Sequence, residues 1–250
     1  MRSTLIALVS VLSVGAGYAR TWVFTCDYYN LTVRGLLTGR QRVSARYTTG
    51  LAEGKVRWSE ATVAQGKDWT DTFDPAEKRE FMDGFSYPLA NVKNMTQPEF
   101  FHGFPPMAMQ ERNLVWDTHM LEGFAALYPG QLVLNTPNHV GSGSVALAGA
   151  GSFDNRDVQV TLVGTSERSG VKCALLEYTA ALNKLDVSAP GLTLTGRSTY
   201  WGQIWVSQST GQIEYATLFE DVVGELRLDG QQPQIVNVFR KGVFAPEGIN

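Results

Sequence analysis

Apolar and polar side chains alternate along much of this chain. Trp22, Phe24, Cys26 and Tyr28 fall on one side of an extended backbone, and Val56 and Trp58 alternate with Lys55, Arg57 and Ser59. A two-residue period is that of a strand with one face buried. It predicts strands over 21–29, 31–37, 41–47 and 55–64, with turns at Thr38-Gly39-Arg40 and between Thr49-Gly50 and Glu53-Gly54. The second half repeats this grammar over 131–135, 157–165, 171–185, 192–198, 199–207, 212–223 and 234–240, mostly through short turns, which describes a meander of hairpins. Within 199–207, Trp201 and Trp205 share one face while Tyr200, Ile204 and Val206 share the other. Large apolar groups on both faces place that strand inside a sheet, not at its edge.

Two segments follow a helical pattern. Asp74-Pro75-Ala76-Glu77 combines an N-cap, a proline at the first helical position and an acid in the first turn, predicting a short helix over 75–83 that Gly84 stops. Leu114, Leu121, Ala125 and Tyr128 form a helical stripe interrupted at Thr118, predicting a helix from about Asp117 to Leu127. The fold class that follows is mainly β: a single antiparallel sheet domain, sandwich or incomplete barrel, with one or two short helices packed on it. No fixed-period repeat and no linker of Pro/Ser/Gly type divides the chain. Residues 20–250 therefore read as one β-rich domain with an apolar loop–helix insertion at about 85–140.

That insertion holds the unusual residues. Met82, Met95, Met107, Met109 and Met120 fall in it or just before it, and His102, His119 and His139 lie inside it. The stretch from Phe100 to Met109 is an apolar loop, because Pro105 and Pro106 remove donors and restrict the residues before them. Such a loop either plugs the core or covers a cavity, where methionines adapt to a greasy ligand. Phe101, Phe104, Met107, Met109, Trp201 and Trp205 are the candidate ligand contacts.

A second candidate chemistry is metal binding by His102, His119, His139 and Glu122, since imidazole and carboxylate suit zinc or non-haem iron. On a helix, His119 and Glu122 would face one side; on a strand, Asp117 and His119 would. The histidines match no compact ligand motif. Asn138-His139 follows Pro137 and reads as loop.

Other formats are absent. There is no Gly-x-Ser-x-Gly elbow, and the glycine-rich stretch from Gly141 to Gly151 lacks the Gly-Lys-Ser/Thr ending of a phosphate loop. Ser169-Gly170-Val171-Lys172 sits at a turn, where serine and lysine would not meet. Paired acids for glycoside hydrolysis follow no spacing rule, so enzyme status stays open, leaning to a non-enzyme. Lys plus Arg number 21 against 24 Asp plus Glu, a net charge of −3 without a basic block, which speaks against nucleic acid. A composition 44% hydrophobic and 11% aromatic excludes intrinsic disorder. Asn30-Leu31-Thr32 and Asn94-Met95-Thr96 are sequons, relevant to glycosylation at Asn30 and Asn94 only in a eukaryotic source.

Met1-Arg2, the apolar run Leu5 to Ala16 and the small-x-small group Gly17-Tyr18-Ala19 have the format of a secretory signal peptide over residues 1–19. The run is short of the roughly 20 apolar residues a bilayer needs, and no later stretch could span one. A secreted or periplasmic location follows as the expectation. In that oxidising setting Cys26 and Cys173, both on apolar faces of their strands, are expected to pair, the alternative being two separate buried thiols.

The strand grammar resembles that of exported β-rich proteins holding an apolar ligand against a curved sheet, through pattern and not through any motif. The expected function is an exported, non-catalytic module binding a hydrophobic small molecule or lipid. The alternatives are a metal-dependent enzyme or metal carrier, and a structural or partner-binding surface protein.

Overall fold

The computed structural model describes residues 19–248. The segment read as a signal peptide lies outside them, apart from Ala19. Strands β1 (Arg20–Leu31), β2 (Leu37–Thr49) and β3 (Lys55–Gly66) form a first meander, edged by the short β4 (Glu77–Lys78) and β5 (Ser86–Pro88). Helix α1 (Met109–Ala125) follows, and then a second meander: β6 (Asn138–Ala146), β7 (Gly151–Arg168), β8 (Val171–Ala189), β9 (Leu192–Ser207), β10 (Ile213–Leu228) and β11 (Gln234–Pro246). The two meanders fuse where β11 pairs antiparallel with β1, from Trp22 opposite Pro246 to Leu31 opposite Asn237. One 11-stranded antiparallel sheet results, in the order β4-β3-β2-β1-β11-β10-β9-β8-β7-β6 with β5 also on β3, and it is not closed into a barrel. The mainly β class and the antiparallel sheet are as the alternation predicts. A single open sheet, not a two-sheet sandwich, is the arrangement adopted.

The pleat sorts side chains by parity. Phe24, Val43, Tyr47, Trp58, Leu176, Ile204, Leu218 and Phe244 are fully buried on the inner face, the face that α1 covers. The helix crosses this face, touching β2, β9 and β10. Helix formers Met109, Gln110, Glu111 and Arg112 open it, with Glu111 complementing the positive end of the dipole, and Pro129 bars its continuation. Leu114, Thr118, Leu121 and Ala125 are its buried stripe. The apparent interruption at Thr118 is a threonine packed into the interface, its hydroxyl without a partner. The helix therefore begins eight residues before the expected Asp117. Close approach shapes the sheet as well: a Cβ on Gly202 would lie 2.0 Å from the Thr217 carbonyl oxygen and 2.6 Å from the Tyr178 hydroxyl. Only glycine lets Tyr178 lie there and donate to that carbonyl at 2.8 Å.

On the outer face, the segment after β3 folds back over β1 and β2. Trp69 stacks on Tyr29 at 5.4 Å, and Arg40 lies between the rings of Tyr29 and Phe73. Arg40 and Arg42 both donate to the buried Asp27. Burial opposes ionisation of Asp27, but these hydrogen bonds outweigh it and hold the carboxyl below its ordinary value.

Several local expectations are corrected. The segment 31–37 is not a strand: Thr32 to Leu36 turn the β1–β2 hairpin through a Thr32 N–H to Leu36 carbonyl bond of 2.9 Å, so Thr38-Gly39-Arg40 falls inside β2. The helix over 75–83 does not form. Its backbone is claimed by β3, with the Arg79 N–H bonded to the Ala61 carbonyl, leaving β4 and a 3-10 turn at Glu80–Met82. Residues 131–135 touch β7 through a single bridge, Leu134 to Leu162. The stretches 192–198 and 199–207 are one strand, β9, lying between β10 and β8. Asn138-His139, expected in a loop, and the glycine-rich residues as far as Ala146 belong to the edge strand β6.

The expected disulfide is also corrected, since Cys26 and Cys173 are both buried free thiols. They lie on β1 and β8, which β11, β10 and β9 separate. At about 4.8 Å per strand step, the gap far exceeds the roughly 4.4–6.8 Å between Cα atoms that a disulfide bridges. Register also opposes the faces: Cys26 shares parity with Phe24 and Tyr28 inside, whereas Cys173 sits opposite Ser207, out of phase with the inward pair Leu176 and Ile204.

Candidate functional site

Between α1 and the inner face lies a cavity of about 1020 Å³. Its walls are set by two periodicities. On α1, Met109, Asn113, Trp116, Met120 and Phe124 recur at helical spacing beside the buried stripe and turn toward the cavity. On the strands, alternate residues do so: Leu185, Val187 and Ala189 on β8, Leu192 and Leu194 on β9, Val222 on β10 and Val238 on β11. Val145 of β6 and Phe153 of β7 complete the aliphatic end. Met95, Met107, Met109 and Met120 gather on the opposite side. Met107, 57% exposed, and Val140, 44% exposed, line the cavity and also reach solvent, marking its mouth between the residues before α1 and strand β6.

A polar row crosses the floor. Register sets Tyr28 of β1 opposite Arg240 of β11, Arg240 opposite Glu220 of β10, and Glu220 opposite Tyr200 of β9. Asp117 descends on them from α1. Arg240 donates through Nε to Glu220 Oε2 at 2.5 Å, through Nη1 to Asp117 Oδ2 at 3.0 Å and to Tyr28 Oη at 3.4 Å, and through Nη2 to Asp117 Oδ1 at 3.4 Å. Its Nη2 also lies 2.5 Å from Glu220 Oε2. Ser198 donates to the other Glu220 oxygen at 2.5 Å, and Asn113 donates to Tyr28 at 3.2 Å. Burial pushes the Asp117 carboxyl up to about 6, opposed by Arg240 and reinforced by Glu220. Burial would neutralise Arg240, yet Asp117 and Glu220 keep it charged.

The candidate contacts fall into three places. Met107 and Met109 line the cavity. Phe101 and Phe104 are buried in an aromatic cluster, where Phe104 lies 5.1 Å from Phe81, 4.9 Å from Phe85 and 5.2 Å from Phe101. Trp201 and Trp205 are on the outer face, away from the cavity, Trp201 stacked on Phe219 at 5.8 Å and Trp205 edge-on to Tyr215 at 5.3 Å.

The metal candidates do not converge. His119 Nδ1 meets Glu122 at 3.0 Å, the helical geometry of the two alternatives, and its Nε2 meets the Tyr87 hydroxyl at 2.8 Å. His102 is exposed, and His139 pairs at the surface with Asp157 at 2.8 Å. Among the described residues no group of three or more His, Cys, Asp or Glu is placed to hold a metal ion. The four-residue set is corrected on that ground: an edge strand, a loop and a helix carry it to separate places.

No family model matches the chain, and no curated protein matches it. Among solved structures, one described as "Lipid-protein interactions in lipovitellin" overlays with a TM-score of 0.38 at 12% identity, covering 92% of this chain. The chain spans a quarter of that protein's length. Among the described residues no helix is long and apolar enough to cross a membrane.

Proposed function

We propose that this protein is an exported binding module that holds an apolar or amphiphilic small molecule, of lipid class, in the cavity beneath α1. The observation that carries the reading is the cavity itself: about 1020 Å³, aliphatic at one end, bordered by methionines and floored by a few fixed polar groups. Small-molecule sites are commonly of about 300–1,000 Å³, largely apolar, with a few polar groups that orient the ligand. An aliphatic tail laid against these walls removes its apolar surface, and theirs, from water.

The test is binding of a neutral fluorescent reporter, N-phenyl-1-naphthylamine, to the purified chain. Saturable enhancement is expected, and Leu194→Trp, which fills the aliphatic end, should abolish it while the far-ultraviolet circular dichroism stays unchanged. No saturable signal from the folded wild type, or an unaltered signal in a folded Leu194→Trp chain, would refute the reading.

A further inference from the structure

The polar floor specifies the head group of the ligand, an inference that rests on the binding function just proposed. Guanidinium carries five N–H donors. In Arg240 every nitrogen is engaged: Nε donates to Glu220, Nη1 to Asp117 and Tyr28, and Nη2 to Asp117, with Glu220 Oε2 also 2.5 Å from Nη2. A carboxylate or phosphate entering the cavity would find every nitrogen of Arg240 already facing an acceptor. It would also face two carboxylates balanced by a single guanidinium. The aliphatic end offers such an anion nothing, and an unpaired buried charge is expensive.

We infer that the cavity selects amphiphiles with a cationic head, a protonated long-chain amine being the simplest, and rejects fatty acids of the same length. The ammonium supplies the positive charge that the floor lacks. Glu220 and Asp117 retain acceptor lone pairs for it, because a carboxylate has about four such sites and the contacts from Arg240 and Ser198 do not exhaust both groups. The tail then lies along Leu194, Val187 and Val222.

A cation and a proton compete for the same charge. The ionisable groups around Asp117 are Arg240 on β11, Glu220 on β10, Tyr200 on β9, Tyr178 on β8, and Tyr28 and Cys26 on β1. Burial holds both the phenols and the thiol in their neutral forms at ordinary pH. Asp117, which burial raises to about 6, takes up a proton on mild acidification, after which the floor carries one negative charge fewer and its preference for a cation weakens.

Displacement of bound N-phenyl-1-naphthylamine by dodecylamine, dodecanol and dodecanoate compares three heads on one tail. At about pH 7.5 dodecylamine, still protonated, is expected to displace the reporter at concentrations about tenfold below dodecanol and lower again than dodecanoate, tenfold being about 1.4 kcal/mol. At about pH 5, below the Asp117 transition, the amine's advantage over the non-titrating alcohol should shrink. In Glu220→Gln, or in Asp117→Asn should the first fail to fold, that advantage should shrink already at about pH 7.5. Dodecanoate or dodecanol binding as tightly as the amine would overturn the head-group inference and leave the cavity reading standing. Failure of all three to displace a reporter that binds saturably would overturn it too. Failure of the reporter itself to bind would instead sink the binding function on which the inference rests.

Discussion

Phe104 and Met107 stand three residues apart and do different work. Phe104 is buried among Phe81, Phe85 and Phe101, whereas Met107 is mostly exposed at the cavity mouth. Phe104→Asp places an unpaired carboxylate in a ring cluster and should unfold the chain or lower its stability by about 4 kcal/mol, read by urea denaturation. Met107→Asp should leave the unfolding free energy from urea denaturation within about 0.5 kcal/mol of wild type and weaken reporter binding. If both variants lose stability alike, Met107 is not the rim residue described. Arg40 offers a further residue-scale test, since it is buried against Asp27 beneath Phe73. Arg40→Leu leaves Asp27 with Arg42 as its remaining cationic partner and should cost about 3 kcal/mol.

At the scale of elements, α1 separates folding from binding by its two neighbouring stripes. Leu121→Ala, on the packed stripe, should destabilise by about 3 kcal/mol. Met120→Ala, one residue away on the cavity side, should alter reporter affinity with little change in denaturation midpoint. Equal losses of stability would contradict the placement of the helix. The strands were largely legible in the sequence, because burial on one face imposes a two-residue alternation that Trp22, Phe24, Cys26 and Tyr28 display plainly. The helix over 75–83 was misread because a cap and a proline favour a helix only where no sheet edge competes for the same backbone, and β3 does compete. The aliphatic wall was legible as inward parity, though not as a cavity: alternation marks which residues face inward and is silent on whether they meet another side chain there. The polar floor left a fainter signal. Glu220 shares parity with its neighbours Leu218 and Val222, and Arg240 with Val238 and Phe244, so each is a charge between apolar positions of its face. Two such charges on adjacent strands ask for each other.

For the whole molecule, the buried charges make stability depend on pH in two opposed ways. The folded state raises Asp117 from 3.8 to about 6, so it binds this proton more tightly than the unfolded chain does. Through this group stability falls as pH rises from about 4 to 6, and acidification from neutrality toward pH 5 is stabilising. Asp27 has the opposite sign: its lowered value supports the fold above the ordinary aspartate range, and that support is lost as pH falls through it. Thermal unfolding measured across pH 4 to 8 should therefore show a term in Asp117 that Asp117→Asn removes. A midpoint profile identical in the variant would rule out the buried carboxylate as its source. Thiol counting on the unreduced, denatured chain should find two free cysteines, and one disulfide would contradict the separation of β1 from β8.

The seam between β1 and β11 lies in the middle of the sheet, yet it joins Trp22 to Pro246 and so waits for β11 to become available. Until residue 234 onward is available, β1 and β10 each present a bare hydrogen-bonding edge, and the two half-sheets are joined by α1 packing and not by strand pairing. Contacts this distant in sequence make for slow folding, and bare edges invite pairing with other chains. Nascent or truncated forms of this protein should need a chaperone or a partner at that edge far more than the finished molecule does.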